Sequence, residues 1–187
     1  MGIDWDDEST WPAWVTEDIA LVRHDPRWLE DGRAEAIRLT GLLDDAGTGA
    51  VEHIGSTSVP GLAAKPILDF VVASSDRHRT AEHLAAQFDD SWVLVPDGLH
   101  PLPIRLLVRV QDGRRHTHLQ VVDEGDPHLQ RLLAFRDALT ADSDAREAYG
   151  DVKSAAAKAL GGDRAAYTDA KAQIIAEILL GVGVRPA

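Results

Sequence analysis

VEHIGSTSVPGLAAKPILDF, residues 51–70, joins two apolar segments through a loop of small residues, glycine and proline. The first segment carries His53 and the second Asp69, with Lys65-Pro66 leading into it. A carboxylate inside PILDFVV is costly to bury without a partner, so Asp69 points to a counter-charge or a ligand. The pattern predicts a short strand over Val51–Ile54 and a longer one over Ile67–Ala73. Gly55, Pro60 and Gly61 suit a tight connection between them. Backbone N–H groups of such a loop can also approach phosphate oxygens closely. Both readings, a bare turn and a phosphate loop, stand at this level.

Upstream, DPRWLEDGRAEAIRLTGLLDDAG predicts a helix. Asp25 is its N-cap, Pro26 its first position, Leu29, Ala36, Leu39 and Leu43 its apolar face, and Gly47 its stop. Residues 1–16 form an acidic arm with Trp5, Trp11 and Trp14 that could dock it on the body. Downstream, residues 76–88 predict a helix started by Asp76, WVLV at 92–95 a strand, and HPLP at 100–103 a loop. IRLLVRV-QDGR-RHTHLQVV reads as a hairpin, because Asp112-Gly113 favours a two-residue type I′ turn. Pairing Gln111 with Arg114 sets Arg109 opposite His116, Leu107 opposite His118 and Arg105 opposite Gln120. On that register Arg105, Arg109, His116, His118 and Gln120 share one polar face. Ile104, Leu106, Val108, Leu119 and Val121 share the other.

The last third predicts three helices, the first capped by Asp126 with Pro127 behind it. Tyr-x-x-x-Lys occurs twice, as Tyr149/Lys153 and Tyr167/Lys171, and a spacing of four puts each lysine beside its tyrosine. Their helix faces are otherwise apolar, so these lysines snorkel, pair or meet a ligand. The order of elements predicts an α+β fold, with a mixed sheet packed with helices and a C-terminal helical segment. The expected division is an arm at 1–16, a core at 17–125 and the helical segment at 126–187.

Composition narrows the function. The chain has 187 residues and a formal net charge of −12, which argues against general nucleic-acid binding. One local basic pocket for a small anion is compatible with it. Without cysteine there is no disulfide framework or thiolate metal site. No apolar run approaches the roughly 20 residues of a membrane span, and the acidic start is unlike a signal peptide. A cytoplasmic protein is the expectation, with its oligomeric state open.

The loop fails as a Walker A sequence, since Pro60 stands where the second glycine belongs and Pro66 follows Lys65. It is not Gly-x-Gly-x-x-Gly either. It is similar to nucleotidyltransferases of the DNA polymerase β type, in which a strand ends in Gly-Ser, the loop holds phosphates and the next strand presents carboxylates to magnesium. HIGSTSVPGLAAKPILD, with DPRW, HTHLQVV, FRDAL and the Tyr-x-x-x-Lys helices, resembles the GrpB-like family, also called UPF0157.

That resemblance implies the nucleotidyltransferase fold. It further implies a nucleoside triphosphate, ATP above all, a divalent ion (Mg²⁺ or Mn²⁺) and nucleotidyl transfer to a small acceptor. Gly55, Ser56 and Thr57 would hold phosphates. Asp69 would ligate the metal with His118, and His116 or His53 would transfer protons. Lys65, Arg105, Arg109, Lys153 and Lys171 would offset phosphate charge, with Tyr149 and Tyr167 beside them. The chain departs from active nucleotidyltransferases in having Val71, not a second carboxylate, two residues after Asp69. Some family members are fused to dephospho-coenzyme A kinase, where the domain serves folding. A catalytically silent folding or interaction module is therefore the alternative, and a histidine-metal enzyme with a non-nucleotide substrate is the third.

Overall fold

The computed structural model describes residues 3–43, 49–100, 102–160 and 163–185. Helix α1 spans Arg27–Leu43. The Asp25 carboxylate accepts the Arg27 N–H at 3.0 Å, as a capping residue does. The expected stop at Gly47 lies outside the described residues. Strands β1 (Glu52–Ile54) and β2 (Leu68–Ser74) follow. Next come α2 (Arg77–Gln87), β3 (Trp92–Leu94), β4 (Arg105–Gln111) and β5 (Arg114–Asp123). Asp76 caps α2 by accepting from His78 and Arg79. Helices α3 (Pro127–Ala141), α4 (Ser143–Leu160), α5 (Arg164–Asp169) and α6 (Ala172–Gly181) complete the chain. The expected last helix is thus two, because the chain bends at Ala170–Lys171.

The strands form one mixed sheet of order β1-β2-β5-β4-β3, in which β2 and β5 run parallel and the other pairs antiparallel. Side chains alternate between its two faces. Leu68, Phe70 and Val72 of β2 join Leu107, Leu119 and Val121 beneath α1 and α2. On the other face Ile54, Val71, Ile104 and Val122 pack with Leu129, Leu132 and Leu133 of α3. Helix α4 adds a third cluster, in which Tyr149 meets Val59, Leu62 and Leu139. Residues 19–21 cross the C-terminal helices, with Ile19 buried against Ala156 and Tyr167. Val22 then bridges to Ala64.

The hairpin turn is as expected, with Asp112 and Gly113 both at positive φ and Gln111 paired with Arg114. Its register is not. A bulge between Arg109 and Val110 shifts the pairing, so that Arg109 faces Thr117, Val108 faces His118 and Arg105 faces Val121. A one-residue slip moves every later side chain to the opposite face. The shared polar face predicted for Arg105, Arg109, His116, His118 and Gln120 does not exist. His118 and Gln120 stand with Leu106 and Val108, while Arg105 and Arg109 stand with Leu107 and Leu119.

Candidate active site

The parallel pairing of β2 and β5 sets Asp69 directly beside His118. The two side chains are joined, His118 Nδ1 lying 2.9 Å from Asp69 Oδ1. With Nδ1–H donated to the carboxylate, the ring turns its Nε2 away from Asp69. Nε2 is buried and has no hydrogen-bond partner among the described residues. Gly55 makes this arrangement possible. Its φ of 70° and ψ of −171° belong to a region that essentially only glycine visits. A Cβ there would lie 2.6 Å from Asp69 Oδ2.

After Gly55 the loop makes one tight turn over Ser56–Ser58. Ser58 donates to the Gly55 carbonyl at 2.6 Å, and buried Thr57 donates to the Ile67 carbonyl at 3.0 Å. Val59 and Leu62 anchor the loop under the C-terminal helices. Ser56 is left at the edge of a cavity of about 970 Å³, near the upper end of the range usual for small-molecule sites. Asp69, His118, Gln120, Leu106 and Val108 form its sheet wall.

Lys65, Lys153 and Lys171 line the same cavity. The chain contains only four lysines, so three of them gather here in a protein of net charge −12. Lys153 is 4% exposed and donates to the Ala63 carbonyl at 2.8 Å. Burial, and repulsion from Lys171 and Lys65, bring its pKa down to about 7. Burial lowers Lys171 to about 8, against the opposing pull of Asp69. Both of the chain's tyrosines hold this cluster. The Tyr167 ring carries Lys171 Nζ at 4.0 Å and Lys65 Nζ at 5.5 Å from its centroid, distances at which a cation is attracted to the π face. Tyr149 is buried, meets Phe135 edge to face and shares a hydrogen bond with Ser56. Its phenol is pushed upward by burial and stays protonated.

Four of the expected site residues stand elsewhere. His53 pairs with Phe70 across β1 and β2, on the helix side of the sheet. Its ring lies 5.2 Å from that of Phe70 and so close to α1 that a Cβ on Gly32 would come within 2.2 Å. Thr57 has given its proton to Ile67, so His53 Nε2 donates to Thr57 Oγ1 at 3.1 Å. Burial lowers the pKa of His53 to about 4. It is a neutral core histidine that braces the loop. His116 sits at the bulge, bonded to Thr117 at 2.8 Å and under the fields of Arg109, Glu35 and Asp31 on the α1 side. Arg109 shares that side, and Arg105 is buried in a pair with Asp97. Of the loop residues, Gly55 acts through its backbone shape, and the hydroxyl of Thr57 is committed to the fold.

Asp69 and His118 do not make a donor set for a resident Mg²⁺ or Mn²⁺. Such ions take several oxygen ligands. Among the described residues no three of His, Cys, Asp or Glu come together. Of the two carboxylates that line the cavity among the described residues, Asp69 and Asp169, the one on the sheet wall is bonded to His118. Val71, where a second carboxylate would stand, is fully buried.

Sequence reasoning left the arm's place open. Trp5, Trp11 and Trp14 all line the cavity, as do His100 and Arg115. Three of five tryptophans within residues 1–16 was the available signal, but nothing in a sequence says which surface an arm covers.

Comparison with known proteins agrees with this architecture. The solved structure of the GLD-2/RNP-8 complex matches 75% of this chain and 46% of that one at a TM-score of 0.53 and 16% identity. The class is thereby a nucleotidyltransferase-type α+β fold with a cationic cavity beside its Gly-Ser loop. Within that class the chain belongs to the GrpB protein family, whose model matches residues 18–180. The crystal structure of the conserved protein GrpB from Enterococcus faecalis covers 88% of this chain and 99% of that one, at 28% identity and a TM-score of 0.73. A UPF0157 protein of Streptomyces coelicolor is 39% identical over 86% of this chain and 82% of its own length. A dephospho-CoA kinase of Mycolicibacterium paratuberculosis is 32% identical over 82% of this chain, which spans 43% of that protein. Among the described residues, no helix is long and apolar enough to cross a membrane.

Proposed function

We propose that the cavity binds the polyphosphate of a nucleoside triphosphate and that the protein transfers the nucleotidyl group to a small acceptor. One observation carries this reading: three of the chain's four lysines line a cavity whose wall holds the bonded Asp69–His118 pair. Lys65, Lys153 and Lys171 stabilise the phosphate charge that elsewhere in this fold class falls to metal ions. Ser56 offers a hydroxyl at the same edge. The acceptor's hydroxyl proton passes to His118 Nε2 as its oxygen attacks the α-phosphorus, and the α–β bond breaks to release pyrophosphate. Asp69 orients the ring and stabilises its protonated form. A divalent ion would then arrive with the triphosphate and not reside beforehand. A cytoplasmic setting, where nucleoside triphosphates are plentiful, suits this reading.

The test is calorimetric titration with ATP, GTP, CTP and UTP, with Mg²⁺ and with EDTA, followed by a pyrophosphate-release assay with candidate acceptors. Binding that survives EDTA and weakens about tenfold or more in Lys171→Met is expected. No heat with any triphosphate in either condition overturns the reading. A second reading is favoured by Val71 and by the kinase relative: the domain binds the ligand and serves folding or assembly without turnover. Tight binding with no pyrophosphate released, across a broad acceptor panel, selects it.

A further inference from the structure

The N-terminal arm lies outside the residues matched by the family model, which begins at residue 18, yet its three indoles line the lysine cavity. Two short turns, Glu8–Thr10 and Ala13–Val15, shape it. Asp7 accepts from the Ser9 N–H at 3.0 Å, and the Thr10 hydroxyl donates to the Asp7 carbonyl at 2.8 Å. The turns bring Trp5 to 6.0 Å from Trp11 and 6.2 Å from Trp14, each pair edge to face. Trp14 is buried and anchors the arm.

Were the indoles only an anchor, their polar atoms would be satisfied within the protein, as buried indole N–H groups usually are. Trp11 Nε1 is buried and has no acceptor among the described residues. Arg115, on the same cavity, has its buried Nε and Nη2 without hydrogen-bond partners among the described residues, and its contact with Glu17 is a looser 3.6 Å. Unmade hydrogen bonds of this kind are costly. Such atoms also occur away from the cavity, at His24, Arg105 and Arg109, whereas those of Trp11 and Arg115 belong to residues that line it. The arm itself carries Asp4, Asp6, Asp7 and Glu8 and no Lys or Arg within residues 3–16, so it repels phosphate. One cavity therefore has a cationic lining from the body and an aromatic, donor-bearing lining from the arm.

We infer that the tryptophan arm is the ring-recognition element of this site, taking a planar heteroaromatic ring with hydrogen-bond acceptors whose phosphates lie on the lysines. Trp5 and Trp11 offer ring faces and edges, and Trp11 Nε1–H and Arg115 Nη2 donate to ring acceptors. Stacking on aromatic side chains tolerates any base, so the donors set the preference. This inference rests on the phosphate-binding reading above and identifies the other end of the same ligand.

Three probes distinguish the two: inorganic triphosphate, a nucleoside without phosphate, and the matching nucleoside triphosphate. Each is titrated calorimetrically and by indole fluorescence into the full chain, Trp5→Leu, Trp11→Leu, Trp11→Phe and Lys171→Met. The nucleotide is expected to bind about tenfold or more tightly than inorganic triphosphate and to quench indole emission. In Trp5→Leu and Trp11→Leu that ratio falls toward one, and Trp11→Phe, which keeps a ring but lacks the N–H, is intermediate. Lys171→Met weakens both phosphate-bearing probes by a similar factor. Equal affinity for nucleotide and inorganic triphosphate, unmoved by the tryptophan variants, overturns the arm's role while leaving the phosphate reading intact. Tryptophan-dependent binding of the nucleoside, with no added affinity from phosphates, supports the arm and defeats the phosphate reading. No binding of any probe defeats both.

Discussion

Asp69 and Phe70 are consecutive in β2 and face opposite sides of the sheet. Phe70 is fully buried beneath α1 and α2, amid Leu107, Leu119 and Val121. Asp69 opens on a cavity with a histidine and three lysines. The closed face carries stability; Arg105 pairs with Asp97 and His53 with Thr57, although Arg105 Nε and Arg109 Nε are buried without hydrogen-bond partners among the described residues. The open face also keeps buried atoms without hydrogen-bond partners among the described residues, at His118, Arg115 and Trp11, and these three residues line the cavity. A sheet that is packed shut around Phe70 and opens on a cavity at Asp69 separates the residues that hold the fold from those that border the cavity.

That separation can be attacked from either side. Phe70→Ala should have the largest effect on stability, about 3–5 kcal/mol by denaturant titration, since it empties a fully buried aromatic site. Triphosphate affinity of the folded fraction should change little. Gly55→Ala should cost roughly 1–3 kcal/mol for its backbone conformation. It should also weaken triphosphate binding at least tenfold, because the new Cβ displaces Asp69; unchanged binding would separate the loop from the site.

Lys153→Met should do the reverse of Phe70→Ala, weakening triphosphate binding by about tenfold with stability equal or higher near neutral pH. The folded pKa of Lys153, about 7, lies below its ordinary 10.5. The unfolded chain therefore binds more protons between these values, and stability gained from this group rises with pH across that window. Below pH 7 its burial cost is fully present. Lys153→Met should flatten that rise, measured by denaturation at pH 7 and 9. Triphosphate affinity runs the other way in the wild type, falling above pH 8 as Lys153 and Lys171 lose charge. The smallest effect is expected for His116→Ala, which should move triphosphate affinity by less than about twofold. A larger loss would contradict its placement on the closed face.

Local chemistry made much of this molecule readable from sequence. Asp76 and Asp126 cap helices because their carboxylates reach the free N–H groups of a first turn, an interaction within three residues. Asp112-Gly113 sets its turn for an equally local reason, positive φ at both positions. Asp69 stood out because an apolar strand tolerates a carboxylate only with partners. The Gly-Ser loop was legible as a motif, and the lysines of the two Tyr-x-x-x-Lys pairs by their place on apolar faces.

Tertiary structure decided what these residues meet. The bulge opposite Arg109/Val110, whose extra residue is His116, has no signature in RRHTHLQ, yet it sends two arginines and His116 away from Asp69 and leaves His118 beside it. Gly32 admits the His53 ring to the closed face, a fit between α1 and β1 that spacing cannot reveal. The convergence of Lys65, Lys153 and Lys171 with three tryptophans joins residues 5 to 171 around one cavity. Sequence determined the elements and the kinds of group available, because those depend on neighbours along the chain. Register and packing across the chain chose which groups share a face, and with it the chemistry that the cavity can do.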